Sequence, residues 1–384
     1  MQARRAAMGR ARGILMNKKK YPVLHKAITV GAVSLGMLLI SQVTSAKDYL
    51  VTALRPNILV VVDAQERKVV KTHKIPNTAL GNSVAGLVVS RDGKIAYAVH
   101  NRWESISGID LESGEEVFRA NLSTPGIRSK AHFAIDLSPD GKELAVHVSP
   151  TQLKLGEYEV LPPYIAIFDT RSGVDAKPVR KLDAPRRTST LAYSPDGKRL
   201  YNFSWDVLVL DPQSGKQIGL HPWRNWKRKG FAEPDTLAVS PQFEQANEFA
   251  TPYFIEHTDK NGKRSTRAGI WALDLEKDKV RFSEFEDAKV MFFSSATNPV
   301  RRNEVYTVYT QLTKTDIDKG KLIKRIDLDH TFYTVNVSSD GKELYIGGTV
   351  NEIVVYDSET LEFKDRILLG ESDQVLSSMR LVRR

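Results

Sequence analysis

The sequence predicts an all-β fold, a seven-bladed β-propeller of four-stranded antiparallel blades, closed by N-terminal strands pairing with a C-terminal innermost strand. Three observations predict it. The first is a recurring hairpin, an apolar run, a tight turn and a second apolar run. It appears at Ser90-Arg91-Asp92-Gly93-Lys94, Ser138-Pro139-Asp140-Gly141-Lys142, Ser194-Pro195-Asp196-Gly197-Lys198 and Ser338-Ser339-Asp340-Gly341-Lys342, with degenerate copies at Ser240-Pro241-Gln242 and Asn298-Pro299-Val300. Gly accepts the positive φ such a turn demands and Asp tolerates it. The second is an apolar run ending in Asp, with a turn often closed by Gly four residues on. Its aspartates are Asp63, Asp110, Asp169, Asp211, Asp274, Asp316 and Asp357, in steps of 47, 59, 42, 63, 42 and 41 residues. Steps of this length holding two hairpin turns are the spacing of a propeller blade. The third is the copy number: six of one turn against seven of the other places one blade across the two chain ends.

Taken in order, residues 1–46 read as a secretory signal and 47–384 as the propeller. Eight basic residues, Arg4 to Lys26, precede the apolar run 27–40, and Thr44-Ser45-Ala46 supplies a small-residue exit. A basic start, a short apolar core and small residues are the pattern of an exported chain. Fourteen apolar residues fall short of the roughly 20 that a membrane span needs. The reading is periplasmic, with no membrane attachment after cleavage. Without that segment the 56 basic residues fall to 48 against 46 acidic ones, so the basic pI of 9.4 belongs mostly to the leader. Nothing then supports a nucleic-acid footprint, which requires a clustered basic face on the folded domain. Cysteine is absent, so no disulfide holds the fold.

The split blade takes strands at 49–54, 58–63 and 69–75, with 378–382 as its innermost strand. The other innermost strands align at 84–89, 132–137, 188–193, 234–239, 292–297 and 332–337. One column of that alignment is small: Gly86, Ala134, Thr190, Thr236, Ser294 and Thr334. Its neighbour is mostly bulky: Leu87, Ile135, Leu191, Leu237, Ser295 and Val335. Period two puts the columns on opposite sheet faces, and near the axis a small face must meet the bulky face of the next blade.

All the tight turns fall on one face of the disc. The long segments 149–164, 220–235, 252–268 and 284–291 fall on the other and read as irregular loops, with 258–267 polar. Long loops on one rim of a rigid scaffold are where binding surfaces are usually placed. The innermost strands begin at that face with His132, Phe133, Asp235, Phe292, Phe293, His330, Phe332 and Tyr333. These form an aromatic collar suited to a small apolar ligand or a partner side chain, and the same rings equally suit packing between blades. The connection 223–229 adds Trp223, Trp226 and four positive charges, a combination typical of interface anchors and also of a solvated loop.

Linear catalytic motifs are absent. There is no haem-attachment Cys-x-x-Cys-His, His-Glu-x-x-His, Gly-x-Ser-x-Gly, dinucleotide fingerprint or P-loop. A stand-alone exported propeller, either a binding module or a metal-dependent lactonase-like hydrolase, stays open. For the latter the innermost strands offer Asp136, Asp235 and Asn336 as oxygen ligands.

The runs Asp48-Tyr49-Leu50, Arg55-Pro56, Leu59-Val60-Val61-Val62-Asp63, Asn121-Leu122-Ser123-Thr124-Pro125, Ala184-Pro185-Arg186, Ala250-Thr251-Pro252 and Tyr333-Thr334-Val335-Asn336-Val337-Ser338 resemble, in order, the β subunit of quinohemoprotein amine dehydrogenase. The resemblance implies a periplasmic αβγ complex oxidising primary amines to aldehyde and ammonia. Its α subunit is a diheme cytochrome c, and its small γ subunit carries cysteine tryptophylquinone and the catalytic acid/base. The β propeller would support γ and wall the substrate pocket. This chain would bind no cofactor and no metal and carry no catalytic residue. A chain without cysteine can attach neither haem c nor a cysteine-linked quinone.

Overall fold

The computed structural model describes residues 46–384 apart from 79–82 and 237–241. The signal segment 1–45 and the turn at Ser240-Pro241 therefore lie outside the described residues. Among those described, no helix is long and apolar enough to cross a membrane.

Each turn motif folds for a visible reason. In the Ser-x-Asp-Gly-Lys copies the Ser hydroxyl donates to the Asp carboxylate at 2.6–2.7 Å, and that carboxylate accepts the Lys main-chain N–H. The fourth residue takes a φ of +69° to +73°, which glycine enters without strain. At the degenerate copy Asn298 plays the same part, accepting the N–H groups of Val300 and Arg301 at 3.0 Å. The second motif is capped by its Asp, as where Asp110 accepts from the N–H groups of Glu112 and Ser113.

These turns fold the chain into seven sheets. The closing blade has Gln374–Arg383 innermost, followed outward by Asp48–Leu54, Ile58–Asp63 and Lys68–Lys74. Val51 lies opposite Arg380 and Thr52 opposite Met379. The two ends clasp each other, Lys47 N–H to Arg384 O at 2.8 Å and Arg384 N–H to Lys47 O at 3.0 Å. The predicted closure across the chain ends is therefore the observed one.

The core is distributed as seven apolar clusters, one between each pair of neighbouring blades. The small and bulky columns meet there. A Cβ added at Gly86 would lie 2.7 Å from Cγ2 of Ile135 in the next blade and 2.7 Å from the His132 carbonyl oxygen.

Two expectations change. Four innermost strands are shorter than the alignment implies, Leu87–Val89, Ile135–Leu137, Thr190–Tyr193 and Thr334–Val337, and the described part of a fifth starts at Asp235; only Phe292–Thr297 begins where expected. Their lead-in residues keep single ladder bonds, such as Tyr333 N–H to Gly347 O at 2.9 Å. The long segments 149–164 and 252–268 are regular hairpins rather than irregular loops. Glu248–Thr258 pairs with Arg264–Asp274 as far as Thr258 opposite Arg264, and Asp259 caps the tip by accepting from Asn261 and Lys263. Its outermost rungs, Glu256–Thr258 against Arg264–Thr266, are polar on both faces, so no alternation marks them in the sequence. Glu143–Lys154 likewise runs beyond its blade and pairs there with Glu157–Val160 and Ile127–Lys130.

Gly86→Val is expected to destabilise the protein by about 1–3 kcal/mol through overpacking, measured by urea unfolding. An unchanged midpoint would contradict the interleaving of the columns.

Candidate functional site

The rim that carries the long hairpins assembles only part of the expected collar. Phe293 and Tyr333 meet with ring centroids 4.4 Å apart, and Tyr309 joins them at 5.8 and 5.9 Å. All three are half-buried. Tyr309 escaped the sequence reading because it ends a second strand, Glu304–Tyr309, rather than starting an innermost one. His132 is exposed and packs on Trp103 at 4.6 Å, with Phe133 half-buried beside it at 6.4 Å.

The other expected positions lie in different surroundings. Phe292 and Phe332 are wholly buried. Phe292 lies between blades against Phe254 and Phe285. Phe332 is the platform on which His330 stacks at 4.0 Å, while His330 Nε2 lies 3.0 Å from Glu352. The period-two column that points one Phe to the mouth points its neighbour between blades. Asp235 is exposed, 3.4 Å from Arg224. Trp223 is a core residue, packed against Phe203, Phe249 and Trp271. It turns inward because Asp206 accepts the main-chain N–H groups of Trp223, Arg224 and Asn225 at 2.9–3.2 Å. Trp226 is half-buried against Tyr253 and Phe282. Arg228 is held inward by Glu284 and lies over the Phe231 ring at 3.9 Å.

The same rim shows a feature the loop lengths did not reveal. In the outer hairpin Thr151 lies opposite Val160 and Leu153 opposite Tyr158. Leu153, Tyr158 and Val160 therefore share one face, and with Leu155 at the tip all four are exposed. On the other face Lys154 pairs with Glu159 at 2.8 Å and Glu157 at 3.4 Å.

At the opposite end, among the tight turns, the channel holds a cavity of about 340 Å³. Its wall carries Asp136, Glu244 and Arg380 among the apolar side chains of Val88, Leu137, Phe243, Leu275 and Leu381. Asp136 Oδ2 accepts the N–H of Tyr193, in the next innermost strand, at 2.7 Å. Arg380 donates from Nε to the Leu87 carbonyl at 2.8 Å and pairs with Glu244 at 3.0 Å. Burial pushes the Asp136 carboxyl up to about 7. The charge of Glu244 adds to this, and Arg380 and main-chain N–H groups pull against it. A buried carboxyl that titrates near neutrality in a cavity is a recurrent mark of function. In the sequence it is signalled only by a charged residue between Ile135 and Leu137, and by Arg380 between Met379 and Leu381, where an apolar alternation is expected.

No protein-family model matches the sequence, and no curated protein matches it significantly. Solved structures share its fold. Hydrazine synthase of Kuenenia stuttgartiensis is 16% identical over 83% of this chain and 90% of that one, with a TM-score of 0.53. A functionally unknown protein from Desulfotomaculum acetoxidans is 10% identical over 86% and 98%, with a TM-score of 0.54. Dihydro-heme d1 dehydrogenase NirN is 14% identical over 87% and 74%, with a TM-score of 0.50. At such identities the likeness is one of fold.

The three oxygen ligands considered for a metal do not converge. Asp136 bonds Tyr193, Asn336 donates to the Met379 carbonyl at 3.3 Å, and Asp235 stands at the opposite end of its strand beside Arg224. Among the described residues no group of three His, Cys, Asp or Glu side chains is placed to hold a metal ion.

Phe292→Ala is expected to cost about 3–5 kcal/mol of stability, as for a buried ring, and Phe293→Ala about 1 kcal/mol or less, both read from denaturant unfolding. Asp136 titrates near 3.8 when unfolded and about 7 when folded, so between those values the folded state alone holds the proton. The stability this contributes is complete below about pH 4 and lost as pH rises through about 7. Asp136→Asn, which keeps an acceptor for Tyr193, is expected to flatten that dependence and to stabilise the fold at pH 8 by on the order of 2 kcal/mol. Identical pH profiles of unfolding for the two proteins would refute this.

Proposed function

We propose that this chain is the cofactor-free propeller subunit of an exported quinohemoprotein amine dehydrogenase. It would hold a small quinone-bearing γ subunit and a diheme cytochrome c α subunit, and wall part of a pocket for a primary amine. The observation that carries this reading is the apolar face of the outer hairpin, Leu153, Leu155, Tyr158 and Val160. Several other exposed large apolar side chains, such as Val70, Val117, Ile323 and Leu368, are scattered singly over the outermost strands, where they need no explanation. Four on one face of a protruding hairpin make a contiguous patch of the kind that marks an interface. The Phe293, Tyr309 and Tyr333 cluster on the same rim offers a second apolar contact. Reduction of the quinone and electron transfer through the haems would belong to the partners, and the residues of this chain would position them and exclude water.

The chain purified from its native host is expected to bring down haem-staining, quinone-bearing subunits with amine-dependent dye reduction. Leu155→Asp with Tyr158→Asp is expected to abolish that co-purification while leaving the unfolding temperature within a few degrees, because both side chains project from the tip into solvent. A colourless wild-type monomer from the native host, or a complex indifferent to the double substitution, would count against it.

A further inference from the structure

The channel cavity lies on the face away from the long hairpins, and its chemistry is independent of any subunit held at that rim. Asp136 is only 8% exposed and lines the cavity. One of its oxygens accepts from Tyr193. Among the described residues no cationic side chain stands within ion-pair distance of it. Arg380, whose charge reaches Asp136 through space, is engaged by Glu244 and by the Leu87 carbonyl. A buried carboxyl with no cation in contact is costly, and it resolves that cost either by holding a proton or by acquiring a cation. Burial raises the pKa of Asp136 to about 7, so below neutrality it holds a proton, and the cavity leaves room for the alternative.

We propose that the cavity is a binding site for a compact organic cation, its charged head against the Asp136 carboxylate and its apolar part against Leu137, Phe243 and Leu381. Charge decides the sign of the ligand. Buried in the wall are one carboxyl, Asp136, and one guanidinium, Arg380, and the latter is already neutralised by the more exposed Glu244, so an anion would have to separate Arg380 from Glu244 and then lie beside both acids. Arg91 and Arg383 also line the opening, but both lie toward solvent and are screened by it. The wall decides the class. Much of it is apolar, and no third carboxyl or imidazole converges there to complete a metal shell. At about 340 Å³ the cavity falls at the lower end of the range for small-ligand pockets. Such a cation favours the ionised form of Asp136, so binding at pH 6 releases a proton. Affinity then rises by up to roughly tenfold per pH unit below the carboxyl's own titration and levels off above it.

The test is calorimetric titration of the mature chain with tetramethylammonium and with pyrrolidinium, in parallel with acetate and with calcium, at pH 6 and pH 8 and in two buffers of different ionisation enthalpy. Expected are one site for at least one of the two organic cations, tighter binding at pH 8, and proton release at pH 6. Glu244→Gln and Asp136→Asn are each expected to weaken binding by about tenfold or more. Glu244 stands on a turn rather than in a blade, so its substitution tests the site even if the Asp136 variant folds poorly. The proposal is overturned if neither organic cation binds at concentrations on the order of 10 mM, if acetate or calcium binds in their place, or if both variants bind as the wild type does.

Discussion

The pairing of Asp48–Leu54 with Gln374–Arg383 is the contact on which the rest of the molecule depends. Each apolar cluster needs a blade on both sides, and the closing blade contributes to two of them, one with Leu50, Val60 and Met379, the other with Val51, Val61 and Leu59. Each such side chain is worth about 1.5–3 kcal/mol when buried. Opening the clasp would expose two faces together with two sheet edges, and those edges invite pairing with other chains. Without cysteine the clasp is entirely noncovalent. It is reinforced where Asp48 accepts from the Ser339 main chain and hydroxyl at 2.7 and 2.6 Å, tying the first strand to the turn of the preceding blade.

Closure also gives the channel its chemistry. Seven innermost strands face an axis, each with an edge that no further strand covers, and buried main-chain groups demand partners. Side chains supply several of them across blades. Asn336 donates to the Met379 carbonyl, Arg380 to the Leu87 carbonyl, and Asp136 accepts from the Tyr193 N–H. Asn336 and Asp136 occupy the same step of the aligned strands. Polar residues placed there to satisfy neighbouring strands line the cavity in the case of Asp136 and Arg380, so one arrangement stabilises the ring and creates a charged pocket.

The two faces of the disc thus divide their tasks. One is a set of short, self-capped turns around a small charged cavity. The other carries extended hairpins, a half-buried aromatic cluster and an amphipathic finger whose apolar side meets solvent. The connection 223–229 joins neither as an open anchor, since Asp206 and Glu284 pull it onto its own blade and the next.

Much of the architecture was legible in the residues. Turn chemistry is local, so Ser-x-Asp-Gly-Lys and the Asp-capped turns declare blade number, blade boundaries and the split blade, and period two declares which column is small. The sites were less legible, because the side chains that form them come from different blades. Whether Phe292 or Phe293 reaches the mouth depends on a register of one residue. Trp223 reads as an exposed aromatic until Asp206 is seen to fold its backbone inward. Asp136, Glu244 and Arg380 lie far apart along the chain and share a cavity only because the ring closes. Short-range hydrogen bonding is written in consecutive residues, whereas burial, pairing of charges and the pKa of a carboxyl depend on what closure brings alongside, and that was decided by the tertiary structure alone.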